Sequence, residues 1–498
     1  MSDTDSLYEK LRTTLRRLER LRSISGLLGW DEQVNLPPGA AGLRAEQNAA
    51  LAGLIRNEAA SPELGRLLEA LHGADLLPEN KRVVQVATRD FEQANRLGED
   101  FVRSKAELDS HSYHAWAKAR EEGRYSIFAP FLARQLDKAR EQASLMGRDA
   151  DPYSYWIDQF DPGMDLQSVE EIFEPLGAEL APLAAKLAEA AASFVPPQMQ
   201  GFARQGQETL LREVLASMGF DFDHGRLDTA LHPFCEGGGQ DTRLTTRYDA
   251  DNPLDSLFSA MHECGHGLYE QGLPDSEAGT ALGMAAGMAV HESQSRIWEN
   301  QVGRGRAFWT RWEPRLRELF PQQMEAISSE DLYLAINHVK PGPVRLDADE
   351  VTYNLHIMLR FSLEKRLLEG SLSHAELPEA WNAQARRLLG IEPSCEREGC
   401  MQDVHWACGL FGYFPSYTLG NLFAAQLWEK AGLELPGLDA ALAYGQCRPL
   451  LDWLRKNVHA YARRFDTREL CQHVCGAKLS HKAFISYISG RYFPLHHA

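Results

Sequence analysis

At 498 residues, with 44% hydrophobic and 24% charged side chains, the chain carries ample apolar content for a large buried core and lacks the composition of a disordered or fibrous polymer. Its 52 Lys and Arg stand against 70 Asp and Glu, a net charge of −18. Such a surface repels phosphate backbones and anionic lipid, so neither nucleic acid nor membrane is an expected partner.

The opening segment, with Leu11, Leu15, Leu18 and Leu21 at helical spacing, is charged and amphipathic rather than a secretory leader. The longest weakly polar run, Gly279 to Val290, is too short to span a bilayer. The eight cysteines are scattered, with no paired CxxC motifs, which fits reduced thiols; the expected location is the cytoplasm. Further on, Leu176, Leu180, Leu183 and Leu187 mark a long Ala-rich helix, with Ser168 read as its cap because Glu171 follows three residues later. After the Gly237-Gly238-Gly239 turn, Gln240 to Tyr248 alternates with β-favouring Thr and Tyr and predicts a strand. Nearly everything else is helical in period. No linker-like tract or fixed repeat divides the chain. The expectation is a mainly α protein, a single unit over residues 1–498, with one small β-sheet near the site described next.

The segment Leu254 to His262 is helix-compatible and runs into His262-Glu263-Cys264-Gly265-His266. Residues four apart share a helix face, so His262 and His266 can address one cation. Glu263 is turned by about 100° and sits beside the ion, where a general base takes a proton from an attacking water. A catalytic zinc needs a third protein ligand and an open position. Glu270 continues the same face but lies about 12 Å along the axis from His262, too far to close the site. If this helix ends near Gln271 and an antiparallel one starts near Thr280, Glu292 returns to the level of His262, which makes it the third ligand. His291 then orients a ligand. The set suits one divalent ion per chain, Zn²⁺ first, with Co²⁺ or Mn²⁺ also able to bind. Cys264 is expected to be inert packing, and Cys471 and Cys475 one face of a C-terminal helix.

These residues, taken with His232-Pro233-Phe234, Asp241-Thr242-Arg243, His291-Glu292-Ser293-Gln294, Val344-Arg345-Leu346-Asp347, Gly399 to Trp406 and an N-terminal Gly29-Trp30-Asp31-Glu32, resemble the carboxypeptidase Taq family of metallocarboxypeptidases over nearly the whole chain. The resemblance implies a large helical metallopeptidase fold with a long substrate cleft. An N-terminal helical part of about 1–225 would cover the cleft, and a part of about 226–498 would bear the metal. It implies removal of C-terminal residues from peptides with broad specificity, and a homodimer. Two alternatives are a metallo-oligopeptidase that cuts internally and a non-catalytic helical metal-binding scaffold.

Arg345 offers the planar donor fork that fits a substrate's free C-terminal carboxylate; its alternative is an internal bridge to Asp347 or Asp349. His405 and Tyr413 are candidates to stabilise the oxyanion, the first two suggested also by related peptidases, with Tyr417, one turn on, as the rival and otherwise a substrate-binding side chain. Gln402 and Asp403 are expected to orient His405, with Asp403 alternatively capping a helix from Val404. Gln294 and His232 are read as substrate-binding, each with a structural alternative. The strand bearing Asp241, Arg243 and Thr245 either pairs with substrate backbone or is held by a buried Asp241–Arg243 pair. Trp30 and Asp31 are read as packing or dimer residues.

Overall fold

In a computed structural model, which describes residues 3–497, the apolar stripe of the first segment folds as the helix Asp3–Val34. Its Leu11 and Leu15 pack on Leu64, Leu68, Leu71 and Val83 of two following helices, Pro62–Leu71 and Pro78–Arg96. The Ala-rich segment is the helix Leu166–Ala191, which buries Leu176, Leu180 and Leu187 fully, while Leu183 stays half-buried and Ala184 takes its place in the core. Its cap is Asp165, not Ser168: the Asp165 carboxylate accepts the Ser168 backbone N–H at 2.8 Å. The helix starts a turn earlier because Asp is as good a cap and Leu166 can begin the buried stripe.

The chain is mainly helical with one three-stranded sheet among the described residues, ordered β1-β3-β2. β1 is Gly225–Thr229, β2 Cys235–Gly238 and β3 Asp241–Thr246. β3 is the predicted strand. It runs parallel to β1, with Leu227 opposite Leu244, and antiparallel to β2, with Glu236 opposite Arg243. Both edges of β3 are therefore taken, so it cannot pair with a substrate backbone; only β1 and β2 have an outer edge. The Asp241–Arg243 pair is real, at 2.9 Å, but lies at the surface with Asp241 well exposed. Arg243 and Arg226 both stack on the buried ring of Trp30, at 4.2 and 4.9 Å, and Asp31 pairs with Arg44 at 2.6 Å. Trp30 thus fastens the first helix to the sheet, and Asp31 ties it to the next helix, Ala41–Ala59, which carries Arg44.

Two compact units form, each from three separate stretches. The first takes the chain up to Arg96, then Gln198–Ser329 and Leu427–Cys475; the second takes Leu97–Pro197, Glu330–Gln426 and the chain from Gly476. Neither coincides with the stretches before and after residue 225. Among the described residues no helix is long and apolar enough to cross a membrane, and none of the eight cysteines is in a disulfide.

Candidate metal centre

The helix Pro253–Glu270 carries His262, Glu263 and His266, and ends where Gln271 caps it. It lies against the sheet through Gly267, where a Cβ would come within 3.0–3.1 Å of Leu244, Phe220 and Thr242. After it the chain does not return directly to helix. Gly279 takes a left-handed φ of 83°, short 3₁₀ turns form at Asp275–Glu277 and Ala281–Gly283, and the Tyr269 hydroxyl accepts the Ala286 N–H at 3.2 Å. The second site helix therefore begins at Met288, eight residues after the expected Thr280, and runs to Arg296 before widening into a π-helical stretch, Ile297–Val302. Glycines at 279, 283 and 287 explain the delay, because each disfavours continuous helix.

Both site helices belong to the first unit, and they touch backbone to backbone at Gly265. A Cβ there would sit 2.5 Å from the Gln294 carbonyl oxygen and 2.6 Å from the Ser295 Cα. This close approach is what lets Glu292 reach the two imidazoles. Its Oε2 lies 3.6 Å from His262 Nε2 and 3.5 Å from His266 Nε2. Two atoms bound at about 2.0–2.1 Å to a tetrahedral zinc are about 3.4 Å apart, close to the separation of the carboxylate oxygen from each imidazole nitrogen. Among the described residues this is the one group of three or more His, Cys, Asp or Glu so placed, with its ligand atoms within 4.8 Å of one another.

The far side of each ligand is held. His262 Nδ1 meets Glu299 Oε2 at 2.9 Å. His266 Nδ1 meets His291 Nδ1 at 2.5 Å, and His291 Nε2 meets Glu270 Oε1 at 2.9 Å. One set of tautomers satisfies the chain: Glu270 accepts from His291 Nε2–H, His291 Nδ1 accepts from His266 Nδ1–H, and His266 Nε2 keeps its lone pair for a cation. Burial, then the neighbouring His291, pushes the His266 pKa down to about 3, so the ring is neutral as a ligand must be. Burial opposes ionisation of Glu292 and Glu299, but Arg296 and the imidazoles outweigh it and hold both carboxyls well below their ordinary range. Glu263 is 8% exposed, its carboxylate has no hydrogen-bond partner among the described residues, and burial lifts its pKa to about 7. Cys264 is fully buried.

Sequence reasoning did not find Glu299. Its signal was available: it lies seven residues after Glu292, two turns along one face. Glu299→Gln, which keeps the shape but weakens the bond that orients His262, is expected to lower metal affinity about 10- to 100-fold with all three ligands intact, as read by competition with a chromophoric chelator.

Gln294 is fully buried; its Oε1 meets His459 Nε2 at 3.0 Å and its Nε2 donates to Ser293 Oγ. That replaces the expected contact with substrate: with no exposed surface, the amide braces the second site helix. His232 lies not on a strand but in the exposed loop between β1 and β2.

The second unit gathers Arg345, His405, Tyr413 and Tyr417. Arg345 is not bridged to Asp347 or Asp349. Its Nε and Nη2 donate to Asp403 Oδ1 at 3.0 and 2.8 Å, and its Nη1 to the Tyr353 hydroxyl at 3.0 Å. The Gln402 side-chain carbonyl accepts its backbone N–H at 2.8 Å. Asp403 caps no helix: its other oxygen accepts from Arg360 Nε at 2.6 Å, so one buried carboxylate joins two guanidinium groups. Arg360, fully buried, had no local signal in the sequence. Arg345 packs 5.1 Å from the centre of the Tyr417 ring. His405 Nε2 meets the Tyr417 hydroxyl at 3.1 Å, and the Tyr413 ring stacks edge-on to Tyr417 at 5.2 Å. Burial, with Arg345 and Arg360 nearby, lowers the His405 pKa to about 4, leaving a neutral ring able to donate one hydrogen bond and accept another.

A family model described as carboxypeptidase Taq (M32) metallopeptidase matches residues 10–492. The chain belongs to the carboxypeptidase Taq (M32) metallopeptidase family. It is similar to thermostable carboxypeptidase 1 of Thermus thermophilus, at 38% identity over 99% of both chains, and to carboxypeptidase 1 of Bacillus subtilis, at 34% over 98% of this chain and 99% of the relative. The crystal structure of an M32 carboxypeptidase from Deinococcus radiodurans R1 superposes with a TM-score of 0.95 at 39% identity, covering 99% of this chain and 100% of that one. A Pyrococcus furiosus carboxypeptidase structure gives 0.95 at 32% identity, with 99% of each chain covered. The M32 chain is thus a metallocarboxypeptidase, and a divalent metal is part of its chemistry.

Proposed function

We propose that this enzyme removes C-terminal residues from peptides of varied sequence at a zinc ion held by His262, His266 and Glu292. The observation that carries the assignment is that Glu292 Oε2 lies 3.5–3.6 Å from the Nε2 atoms of both His262 and His266, beside a carboxylate, Glu263, that has no hydrogen-bond partner among the described residues. Three protein donors leave a four-coordinate ion one place for water or substrate, whereas a structural site is closed by four. The scaffold reading loses its basis there.

A bound divalent ion supplies a Lewis acid that acidifies water and polarises a peptide carbonyl. The chain's own groups do the rest. Glu263 takes the proton of the attacking water at a carboxylate oxygen and passes it to the departing amine nitrogen. His405 and Tyr413 donate hydrogen bonds to the oxyanion, and Tyr417, bonded to His405, fixes that ring or takes Tyr413's part. Arg345 holds the terminal carboxylate. Of its five N–H groups three are engaged by Asp403 and Tyr353, and two remain for a substrate. Asp403 and Gln402 keep the fork in place. Co²⁺ or Mn²⁺ can replace zinc in a His₂Glu set. The whole chain acts as one peptidase, consistent with a family match that spans it. Free thiols and a net charge of −18 fit a cytoplasmic enzyme. A homodimer is the assembly that the family resemblance implies, and light scattering checks it.

The test is a ladder of peptides with free and amidated C-termini, followed by mass spectrometry. Single residues released from free-acid peptides only are expected; equal cleavage of amidated ones would establish internal cutting instead. Arg345→Ala is expected to raise KM for free-acid peptides about tenfold or more, with kcat changing less, since a charge-assisted pair contributes about 1.5–3 kcal/mol.

A further inference from the structure

We propose that Arg296 is a positioning residue that restricts Glu292 to one metal-binding oxygen and so sets the preference of the site for a small, four-coordinate cation. The proposal rests on reading His262, His266 and Glu292 as the ligands.

Arg296 follows Glu292 by four residues and precedes Glu299 by three, at the point where the second site helix widens into its π-helical stretch. Its Nε donates to Glu292 Oε1 at 2.6 Å, and its Nη1 donates to Glu299 Oε2 at 3.1 Å. The same Glu299 oxygen faces His262 Nδ1. One guanidinium therefore ties the carboxylate ligand to the carboxylate that orients an imidazole ligand. The Glu292 carboxylate is divided: Oε2 faces the two Nε2 atoms and accepts from Ser295 Oγ at 3.2 Å, while Oε1 is turned to Arg296. Arg296 has only 12% of its side chain exposed, so water does not readily replace it.

For Glu292 to chelate through both oxygens, Oε1 must abandon a short charge-assisted bond in a buried place. Zinc is satisfied without that step, because two imidazoles, one carboxylate oxygen and one open position complete a tetrahedron. A cation that prefers six oxygen-rich positions, such as Mn²⁺, gains from a second oxygen and is denied it. Arg296 thus filters by coordination number while holding the ligands in register.

The test compares full-chain wild type and Arg296→Met, stripped of metal and titrated with Zn²⁺ and with Mn²⁺. The ratio of the two dissociation constants, Mn²⁺ over Zn²⁺, is expected to fall about tenfold in the variant. A ratio unchanged within about threefold overturns the proposal, including when the metal-free variant melts earlier, since that pattern is a purely structural role. Arg296→Lys, which keeps the charge but reaches one carboxylate, is expected to shift the ratio in the same direction by less. A crystal structure of the zinc-loaded wild type gives a result independent of any variant: Glu292 bound through one oxygen supports the proposal, and Glu292 chelating through two overturns it. Failure of the metal-centre reading looks different: Glu292→Ala would then bind zinc as tightly as wild type.

Discussion

Glu263→Gln is expected to bind one metal ion per chain as the parent does and to turn over free-acid peptides about 10²–10⁴-fold more slowly, the usual contribution of a positioned acid–base group. The substitution is nearly isosteric and breaks no interaction, because the carboxylate has no hydrogen-bond partner among the described residues. The helix Pro253–Glu270 therefore keeps its packing, and His262 and His266 keep their partners. What is lost is the ability to accept a proton, which an amide lacks at any accessible pH. Metal analysis and steady-state kinetics on the same sample separate the two properties. Residual activity within tenfold of the parent would remove Glu263 from the mechanism, and loss of metal would show that it serves binding.

Gly265→Ala is expected to cost about 1–3 kcal/mol of stability by overpacking and to weaken zinc binding at least about tenfold, although it changes no ligand. The added methyl would meet the Gln294 carbonyl oxygen at 2.5 Å and the Ser295 Cα at 2.6 Å. Those atoms are backbone, so no rotamer change relieves the contact. Reaching an ordinary separation of about 3.5 Å requires the two site helices to part by nearly 1 Å. Metal–ligand distances tolerate only about 0.2 Å, so a shift of that size moves Glu292 off the ion. Denaturant unfolding in excess chelator measures the packing cost, and chelator competition measures the affinity. Parent-like values in both would mean that the helices yield without disturbing the ligands.

The parts of this centre that were legible in the sequence are those set by local helical geometry. His262, Glu263 and His266 follow from spacing alone. Glu292 was reached from a supposed helix beginning near Thr280, whereas the helix begins at Met288. The residue is the expected one, but the connection is a series of turns set by Gly279, Gly283 and Gly287. What escaped is held by tertiary contacts. Arg345 is paired with Asp403, 58 positions away, rather than with the acids beside it, because folding brings that carboxylate between Arg345 and Arg360. Gln294 turns inward to His459, 165 positions away, and no local pattern announces that partner. β1 escapes a sequence reading because Gly225 to Thr229 holds a single large apolar residue, Leu227; parallel pairing with β3 makes it a strand and closes the edge that β3 was expected to offer. A cap is the alternative that the sequence offers for Asp403, because Asp before a helical run usually is one, but two buried guanidinium groups outcompete a single backbone N–H for it.

The most direct test is a zinc titration of metal-stripped enzyme, with bound metal and release of the C-terminal residue from a free-acid peptide followed together. Occupancy and activity are expected to rise in parallel and level off at one ion per chain. Activity that persists in the stripped protein, or zinc that binds at His262, His266 and Glu292 without restoring hydrolysis, would contradict a catalytic metal at this site.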